Sequence, residues 1–227
     1  MVTCLLAGVG APVAGYADCV VLLHGLARTS SSMKKLVAPF EQLGHQVVNV
    51  DYPSRKKPVE ELSILAVKEL GYENCNNGDT VNFITHSMGG ILLRYYLEYN
   101  SIAQLGRVVM MAPPNHGSEV VDKLRKVPGF KLMNGAAGLQ LGTDDNSIPK
   151  NLGSVNYELG VIAGNKTFNL LLSQFLPNPD DGKVSVASTK VEGMSDHITL
   201  PVTHTFMMKS KPVIEQTVHF ITEGSFK

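Results

Sequence analysis

The 227-residue chain contains 44% hydrophobic residues, and its 20 acidic and 20 basic side chains give a formal net charge of zero. This composition favours a chain with a packed core over a disordered one. The sequence shows no basic stripe of the kind that binds nucleic acid, and no apolar run of about 20 residues that would span a membrane. It therefore argues against nucleic-acid binding and against stable membrane insertion.

The N-terminus matches the core and cleavage region of a secretory signal peptide. Residues 2–14 are apolar or small, and Gly15 and Ala17 supply the two small residues that a signal peptidase reads. The pattern predicts cleavage after Ala17 and export, so that a periplasmic or secreted protein remains as a single domain over residues 18–227. No Lys or Arg precedes Arg28, so the usual basic start is missing. An ordinary N-terminal strand, or a start codon placed too late, remains the alternative.

Short apolar runs alternate with helical patterns along the rest of the chain. The runs predict strands over residues 19–23, 46–50, 80–85, 107–111, 157–163 and 183–191. The helical patterns cover residues 32–43, 58–70, 88–99, 118–126 and 211–221. This alternation predicts an α/β fold with a mostly parallel sheet of about six strands and helices on both faces. Residues 127–156 break the pattern and are interpreted as a flap-like insertion in the same domain.

The cysteines bear on the cellular compartment. Cys4 would leave with the signal peptide, which leaves Cys19 at the start of the first run and Cys75 just before the third. If these runs are neighbouring parallel strands, both cysteines lie at one edge of the sheet, within bridging distance. A disulfide would suit an oxidising compartment. Two unrelated thiols are an equally weighted alternative.

A serine occupies a strand-to-helix turn in the middle of the chain. Residues 85–90 read Thr-His-Ser-Met-Gly-Gly and lie between an apolar strand and an apolar helix, which is the context of a nucleophile elbow. Such a turn exposes the hydroxyl of Ser87 above the sheet, and small residues on both sides relieve crowding. Gly89 keeps one of them, whereas Thr85 stands where the usual motif has glycine. The pattern predicts Ser87 as a nucleophile.

A second motif, His24-Gly25-Leu26, follows the first strand. In hydrolases with this elbow, the loop after that strand donates one N–H to the oxyanion, and the residue after the nucleophile donates the other. This assigns the oxyanion hole to the backbone N–H groups of Leu26 and Met88. His24 precedes the nucleophile in the chain, so it is interpreted as a structural residue that holds the loop.

These motifs together resemble those of small bacterial lipase/esterase-type α/β hydrolases. The likeness is carried by Val-Leu-Leu-His-Gly at residues 21–25, His-Ser-Met-Gly-Gly at 86–90, Asp-Gly-Lys-Val at 181–184 and Thr-His-Thr at 203–205. It extends over residues 19–223. The resemblance implies the α/β-hydrolase fold in a minimal form with about six strands, and cleavage of a carboxylic ester through an acyl-enzyme intermediate. It implies no metal and no organic cofactor.

The general base is chosen among the histidines that follow Ser87. His204 precedes the last helix, in the Thr-His-Thr context that matches the family, and is the preferred base. His197 is the alternative. His116 lies in a turn too soon after Ser87 in the chain. His219 lies inside the terminal helix, where a solvent-exposed position without a catalytic role is expected.

The acid should lie between the nucleophile and the base. The candidates are Asp122, Asp144, Asp145, Asp180, Asp181 and Asp196. Asp181 directly precedes Gly182, as the acid of the similar family does, and Asp180 is the alternative. The predicted triad is therefore Ser87, Asp181 and His204.

The expected substrate is a small-molecule or lipid ester with a short to medium acyl chain. An acyl pocket would come from apolar residues of the insertion, namely Phe130, Leu132, Met133, Leu139 and Leu141, which are equally read as filler under a long loop. Two other functions remain open. One is an acyltransferase or thioesterase with the same triad, and the other is a non-catalytic binding module that retains the fold.

Overall fold

A six-stranded parallel sheet forms the centre of the protein. The computed structural model describes residues 18–168 and 170–227, so the predicted signal peptide at residues 1–17 lies outside the described part. The strand order is β2-β1-β3-β4-β5-β6, and every neighbouring pair is parallel. The predicted fold class is confirmed. The strands are β1 Cys19–Leu23, β2 Gln46–Val50, β3 Val81–His86, β4 Leu105–Met111, β5 Leu159–Gly164 and β6 Asp196–Leu200.

Helices connect the strands, and some of them are irregular. The predicted helix at 32–43 consists of 3₁₀ turns followed by α1, and the helix at 58–70 continues from α2 into a π-helical segment, Ile64–Glu69. No helix within residues 18–168 and 170–227 is both long and apolar enough to cross a bilayer. The α-helices are α1 Val37–Gln42, α2 Val59–Ser63, α3 Met88–Tyr99, α4 Glu119–Leu124, α5 Phe130–Leu139, α6 Ile148–Asn151, α7 Leu170–Ser173, α8 Val186–Thr189 and α9 Lys211–Glu223.

The sheet has a hydrophobic core on each face. Successive residues of a strand point to opposite faces, so Val21 and Phe83 pack with residues of α2 and α3, whereas Val20 and Ile84 pack with residues of α1 and α9. Because both faces are covered, β1 and β3 are buried along their whole length. This is why the central strands read as continuous apolar runs in the sequence.

The prediction of a sixth strand over residues 183–191 is wrong. Val184 and Val191 are buried there, but they lie in the loop segments before and after the short helix α8 rather than in the sheet. The side chain of Ser185 accepts a hydrogen bond from the N–H of Ser188 and caps α8, so the chain turns at this point. The sixth strand is Asp196–Leu200, which pairs with β5 at the edge of the sheet. Its polar side chains suit an edge position that is only half buried.

The insertion at residues 127–156 is partly helical and is fastened to the rest of the domain. It contains α5 and α6, and α5 is kinked at Gly135, whose φ is +69°. The Gln140 side chain accepts a hydrogen bond from the N–H of Val59 (2.8 Å) and donates to the carboxylate of Glu60 (2.9 Å). Arg125 and Asp144 form an ion pair at its base. The insertion therefore forms a wall beside the sheet.

The two ends of the sheet carry different features. Cys19 and Cys75 form a disulfide at the end where β1 begins, with their Cα atoms 5.7 Å apart, so the bridged reading applies rather than that of two free thiols. At the opposite end, Leu23 of β1 lies beside Thr85 of β3. The strand order reverses between β1 and β3, and the crevice at such a point is where ligands bind in open α/β sheets. The His24-Gly25-Leu26 motif follows β1 and the Ser87 turn follows β3, so both sequence motifs lie at this end of the sheet.

Candidate active site

Ser87 occupies the sharp turn between β3 and α3. Its φ of +55° and ψ of −123° lie in a region that non-glycine residues rarely adopt. Its N–H donates to the carbonyl of Met111 (2.9 Å), and its carbonyl accepts from the N–H of Gly90 (3.0 Å). The turn is held from both sides, and this holds the backbone in its strained conformation.

Small residues around the turn are required by the close approach of the backbone. A Cβ atom at Gly89 would lie 2.7 Å from the carbonyl oxygen of Leu23 and 2.8 Å from that of His24. A Cβ at Gly90 would lie 3.1 Å from the hydroxyl of Thr85. Thr85 therefore fits where the usual motif has glycine because its neighbour at position 90 has no side chain.

The structure brings Ser87, His204 and Asp181 into one hydrogen-bonded chain. The Oγ atom of Ser87 lies 3.0 Å from Nε2 of His204, and Nδ1 of His204 lies 2.8 Å from Oδ2 of Asp181. His204 and Asp181 are buried, with 5% and 2% of their surfaces exposed. The three residues come from the turn after β3, the loop after β6 and the turn before α8. This is the arrangement expected of a nucleophile, a base and an acid that orients the base.

Asp181 is fixed by contacts that Asp180 does not share. Its Oδ1 accepts hydrogen bonds from the N–H groups of Lys183 (3.0 Å) and Val184 (2.9 Å), and its carbonyl accepts from the N–H of His204 (3.0 Å). Asp180 instead accepts from the Ser173 hydroxyl (2.5 Å) and from the Gly182 N–H (2.7 Å). Asp180 thus holds the turn, while Asp181 alone of the two contacts the histidine.

The other histidines considered as bases lie elsewhere. His197 is in β6, and its Nε2 lies 3.0 Å from the hydroxyl of Thr189. Nδ1 of His219 donates to the carbonyl of Ser225 (2.7 Å), and His116 is exposed. None of the three lines the cavity beside Ser87.

His86 is a site residue that sequence reasoning missed. Its Nε2 donates to the carbonyl of His204 (3.0 Å), and the two rings tilt against each other with centroids 4.8 Å apart. Burial, together with the nearby His204, holds the pKa of His86 well below its ordinary value, so the ring stays neutral. Its position next to Ser87 could have marked His86 as a site residue. The sequence does not show, however, that the His86 side chain contacts the backbone of His204.

His24 has the contacts of a structural residue. Its ring stacks on Tyr52 with centroids 4.0 Å apart, and the Tyr52 hydroxyl donates to the carbonyl of His24. Nδ1 of His24 donates to the carbonyl of Gly25 (2.9 Å), and burial lowers the pKa of the ring. These contacts fix the loop that leads to Leu26.

Met88 follows Ser87 in the chain, and Leu26 lines the same cavity as Ser87. Met88 is the first residue of α3, where N–H groups have no partner within the helix, and its side chain is buried in the core. Leu26 lies in the turn after β1 and lines the cavity. Its N–H donates no hydrogen bond among those of the described residues. The backbone at both positions is therefore free to donate to a ligand.

A cavity of about 360 Å³ opens beside Ser87. Of the five apolar residues of the insertion expected at an acyl pocket, Phe130, Met133 and Leu141 line it, whereas Leu132 and Leu139 do not. Leu132 is instead 86% exposed. Further apolar walls come from Val120, Val121, Leu124, Val127 and Val184. A more open groove of about 630 Å³ along α9 shares no residue with this cavity.

The described residues contain no group of three or more His, Cys, Asp or Glu side chains placed to hold a metal ion. Ser87, His86 and His204 lie together in the lining of the cavity. A hydroxyl beside an imidazole is the arrangement expected of an activated nucleophile.

Comparison with solved structures identifies the fold. No protein-family model matches the sequence, and a search of the curated proteins gives no significant match. A mature lipase from Bacillus licheniformis shares 20% identity, with a TM-score of 0.64 over 93% of both chains. A metagenomic carboxyl esterase shares 16% identity, with a TM-score of 0.66 over 88% of this chain and 70% of that one. A type II thioesterase from the yersiniabactin pathway shares 12% identity, with a TM-score of 0.59 over 95% of this chain and 96% of that one. The chain thus has the α/β-hydrolase fold.

Proposed function

We propose that the protein is a serine hydrolase that cleaves carboxylic esters, as a carboxylesterase or lipase. The observation that carries the proposal is the continuous chain from the Ser87 hydroxyl through His204 to the Asp181 carboxylate, with distances of 3.0 and 2.8 Å. The serine stands in a strained turn at the N-terminus of a helix, next to a cavity with apolar walls. The similar solved structures include a lipase and a carboxyl esterase, which agrees with this reading.

The geometry supports a two-step transfer of the acyl group. Nε2 of His204 takes the proton of Ser87 as Oγ attacks the carbonyl carbon, and the new negative charge lies on the former carbonyl oxygen. The N–H groups of Leu26 and Met88 donate to that oxygen, where each donor typically contributes about 3 kcal/mol. His204 then gives its proton to the departing alkoxide, which leaves an acyl-serine. Water then attacks the acyl carbonyl carbon while His204 takes its proton. The bond to Oγ breaks, His204 returns the proton to Oγ, and the carboxylic acid leaves.

Asp181 keeps the imidazole in the form that the first step requires. Its Oδ2 accepts a hydrogen bond from the Nδ1–H group of His204, so Nε2 faces Ser87 as an acceptor. The carboxylate also stabilises the positive charge that His204 acquires. His86 holds the carbonyl of His204, which fixes the backbone that carries the base.

The cavity walls suit an apolar acyl chain of short to medium length. The kinked helix α5 and the neighbouring α4 supply the apolar surface, and the chain would extend away from Ser87 between them. The substrate is then a small-molecule or lipid ester.

The decisive experiment measures hydrolysis of p-nitrophenyl esters from acetate to dodecanoate. We expect the wild type to prefer short to medium chains, and Ser87→Ala and His204→Ala each to lower kcat by about 10⁴-fold or more. His197→Ala serves as the matched control and should keep most of the activity, because His197 contacts Thr189 rather than the serine. Equal activity of Ser87→Ala and wild type would contradict the proposal.

The same preparation tests the other readings of the triad. A wild type that is silent with esters but cleaves acyl thioesters would be a thioesterase. Transfer of the acyl group to an added alcohol in preference to water would indicate an acyltransferase. Failure to react with a fluorophosphonate probe, which labels activated serines, would leave only a binding module.

We also propose that the protein works in an oxidising compartment, as an exported protein. The disulfide between Cys19 and Cys75 supports this, because such bonds are rare where thiols are kept reduced. Expression of the full gene in a bacterial host, followed by fractionation and N-terminal sequencing, tests it. Mature protein in the periplasm or the medium beginning at Asp18 is expected, and intact protein confined to the cytoplasm would contradict the proposal.

A further inference from the structure

Two basic side chains line the cavity beside the triad. Arg28 lies in the loop that follows β1, two residues after Leu26, and Lys183 lies in the turn that carries Asp181. Ser87 and His204 line the same cavity. Both positive charges therefore come from loops that also carry catalytic groups. The remaining walls are mainly apolar, so the two cations are its main charged feature.

Neither cation has a direct side-chain partner, and the charge of Asp181 acts on Lys183 without an ion pair between them. Across the part of the chain that the structure describes, no ion pair or hydrogen bond involves the side chain of Arg28 or Lys183. By contrast, Arg107 pairs with Glu158. The nearest acid in the sequence, Asp181, is engaged by His204 and by two backbone N–H groups.

The two cations also repel one another. Burial, followed by the charge of Arg28, lowers the pKa of Lys183, and both side chains lower the pKa of the neutral His86. Like charges that are held together beside a reactive group raise the free energy of the empty site. An anion bound between them would offset that repulsion, and a cleft lined by charges of one sign attracts ligands of the opposite sign.

We propose that the preferred substrate is an ester that carries a phosphate or carboxylate group close to the scissile bond, which Arg28 and Lys183 bind. The inference rests on the proposed ester hydrolysis and names its substrate class. The guanidinium of an arginine matches a phosphate or carboxylate with two parallel hydrogen bonds, and a lysine adds a compact charge. The apolar cavity receives the acyl chain, and the cations receive the charged group.

The anion has two possible positions in an ester, and each has a matched pair of substrates. For the alcohol side, we compare monooctanoylglycerol phosphate with monooctanoylglycerol. For the acyl side, we compare the p-nitrophenyl monoester of glutaric acid with p-nitrophenyl pentanoate. We expect kcat/KM for one anionic ester to exceed that for its neutral partner by about tenfold or more, since a charge-assisted hydrogen bond contributes on this scale. The pair that shows the preference locates the charged group.

Variants show whether the two cations cause the preference. Arg28→Gln and Lys183→Gln should each reduce the ratio of anionic to neutral kcat/KM several-fold, while Arg28→Lys should retain part of it. Lys34→Gln removes the same charge from an exposed position outside the cavity and should leave the ratio unchanged. Since a cavity variant can fail to fold, the wild type provides a second measurement. Raising the salt concentration from about 0.05 to about 0.5 M should lower its ratio through screening.

The outcomes separate the two proposals. Hydrolysis of both neutral esters with no preference for either anionic partner would overturn the inference and leave the ester hydrolase standing. A preference that persists in Arg28→Gln and Lys183→Gln would also overturn it. If none of the four esters is cleaved, the proposed function fails as well.

Discussion

Replacing Asp181 by asparagine tests the triad more finely than deletion of the nucleophile does. The Oδ1 atom accepts hydrogen bonds from the N–H groups of Lys183 and Val184, at 3.0 and 2.9 Å. In Asp181→Asn the amide oxygen must take this position, because an amide NH₂ there would face two donors. The NH₂ group is then directed at Nδ1 of His204, where the carboxylate of the wild type accepts a hydrogen bond.

The consequence is the wrong tautomer of the base. With a donor opposite Nδ1, His204 accepts at Nδ1 and carries its proton on Nε2, so it donates to the hydroxyl of Ser87 instead of accepting from it. A change of this kind in a Ser-His-Asp triad lowers kcat by about 10⁴-fold. This corresponds to about 5 kcal/mol of transition-state stabilisation. The fold should survive, since shape and the two backbone contacts are preserved.

The assay is hydrolysis of p-nitrophenyl butyrate near neutral pH, with thermal unfolding as the check on the fold. Asp180→Asn is the matched control, because it makes the same chemical change one residue away, where the carboxylate contacts Ser173 and Gly182. We expect it to keep activity within about tenfold while losing some stability. The reasoning is refuted if Asp180→Asn loses activity as Asp181→Asn is expected to, or if Asp181→Asn retains it with an intact fold.

Three further predictions concern the nucleophile elbow, the disulfide and the buried side chain of His86. Gly89→Ala brings a Cβ within 2.7 Å of a backbone carbonyl and should lower both the rate of ester hydrolysis and the melting temperature. Gly153→Ala is the control and should change neither, because its nearest new contact is at 3.7 Å. Replacing Cys19 and Cys75 by alanine removes a crosslink that spans 56 residues and should lower the free energy of unfolding in urea by up to about 4 kcal/mol; an unchanged midpoint would contradict this. Because the pKa of His86 is lowered in the folded state, the unfolded state binds more protons below about pH 6.5, so stability should fall with decreasing pH there by up to about 1.4 kcal/mol per unit. Urea titrations between about pH 7.5 and 5 should show a shallower fall for His86→Gln.

The sequence predicted those elements whose apolar residues form a clear pattern along the chain. The strands Cys19–Leu23 and Gln46–Val50 and the helix Met88–Tyr99 have the bounds that their apolar patterns indicated. The elbow was recognisable because its strain and crowding require particular small residues in a short run of sequence. A motif whose residues are adjacent in the chain can be recognised from the sequence alone.

The failures occurred where tertiary contacts override a pattern. The valines at 184, 186 and 191 suggested a strand over 183–191, but Val184 and Val191 are buried outside the sheet, and Ser185 caps a short helix between them. The edge strand Asp196–Leu200 has little apolar surface to signal its presence, since only part of it is covered. The contact between His86 and the His204 carbonyl joins residues 118 positions apart, and no sequence spacing reveals it.

The turn over residues 180–184 carries both Asp181, which contacts His204, and Lys183, which lines the cavity. Asp180 holds the N–H of Gly182, and the N–H groups of Lys183 and Val184 hold Asp181. Lys183 therefore acts on the triad through its backbone and on the cavity through its side chain. A substitution of that side chain leaves the backbone N–H in place, so an effect on substrate charge preference can be separated from an effect on the acid. A substitution that changes the backbone conformation of residues 180–184 would instead alter both the charge preference and the position of Asp181.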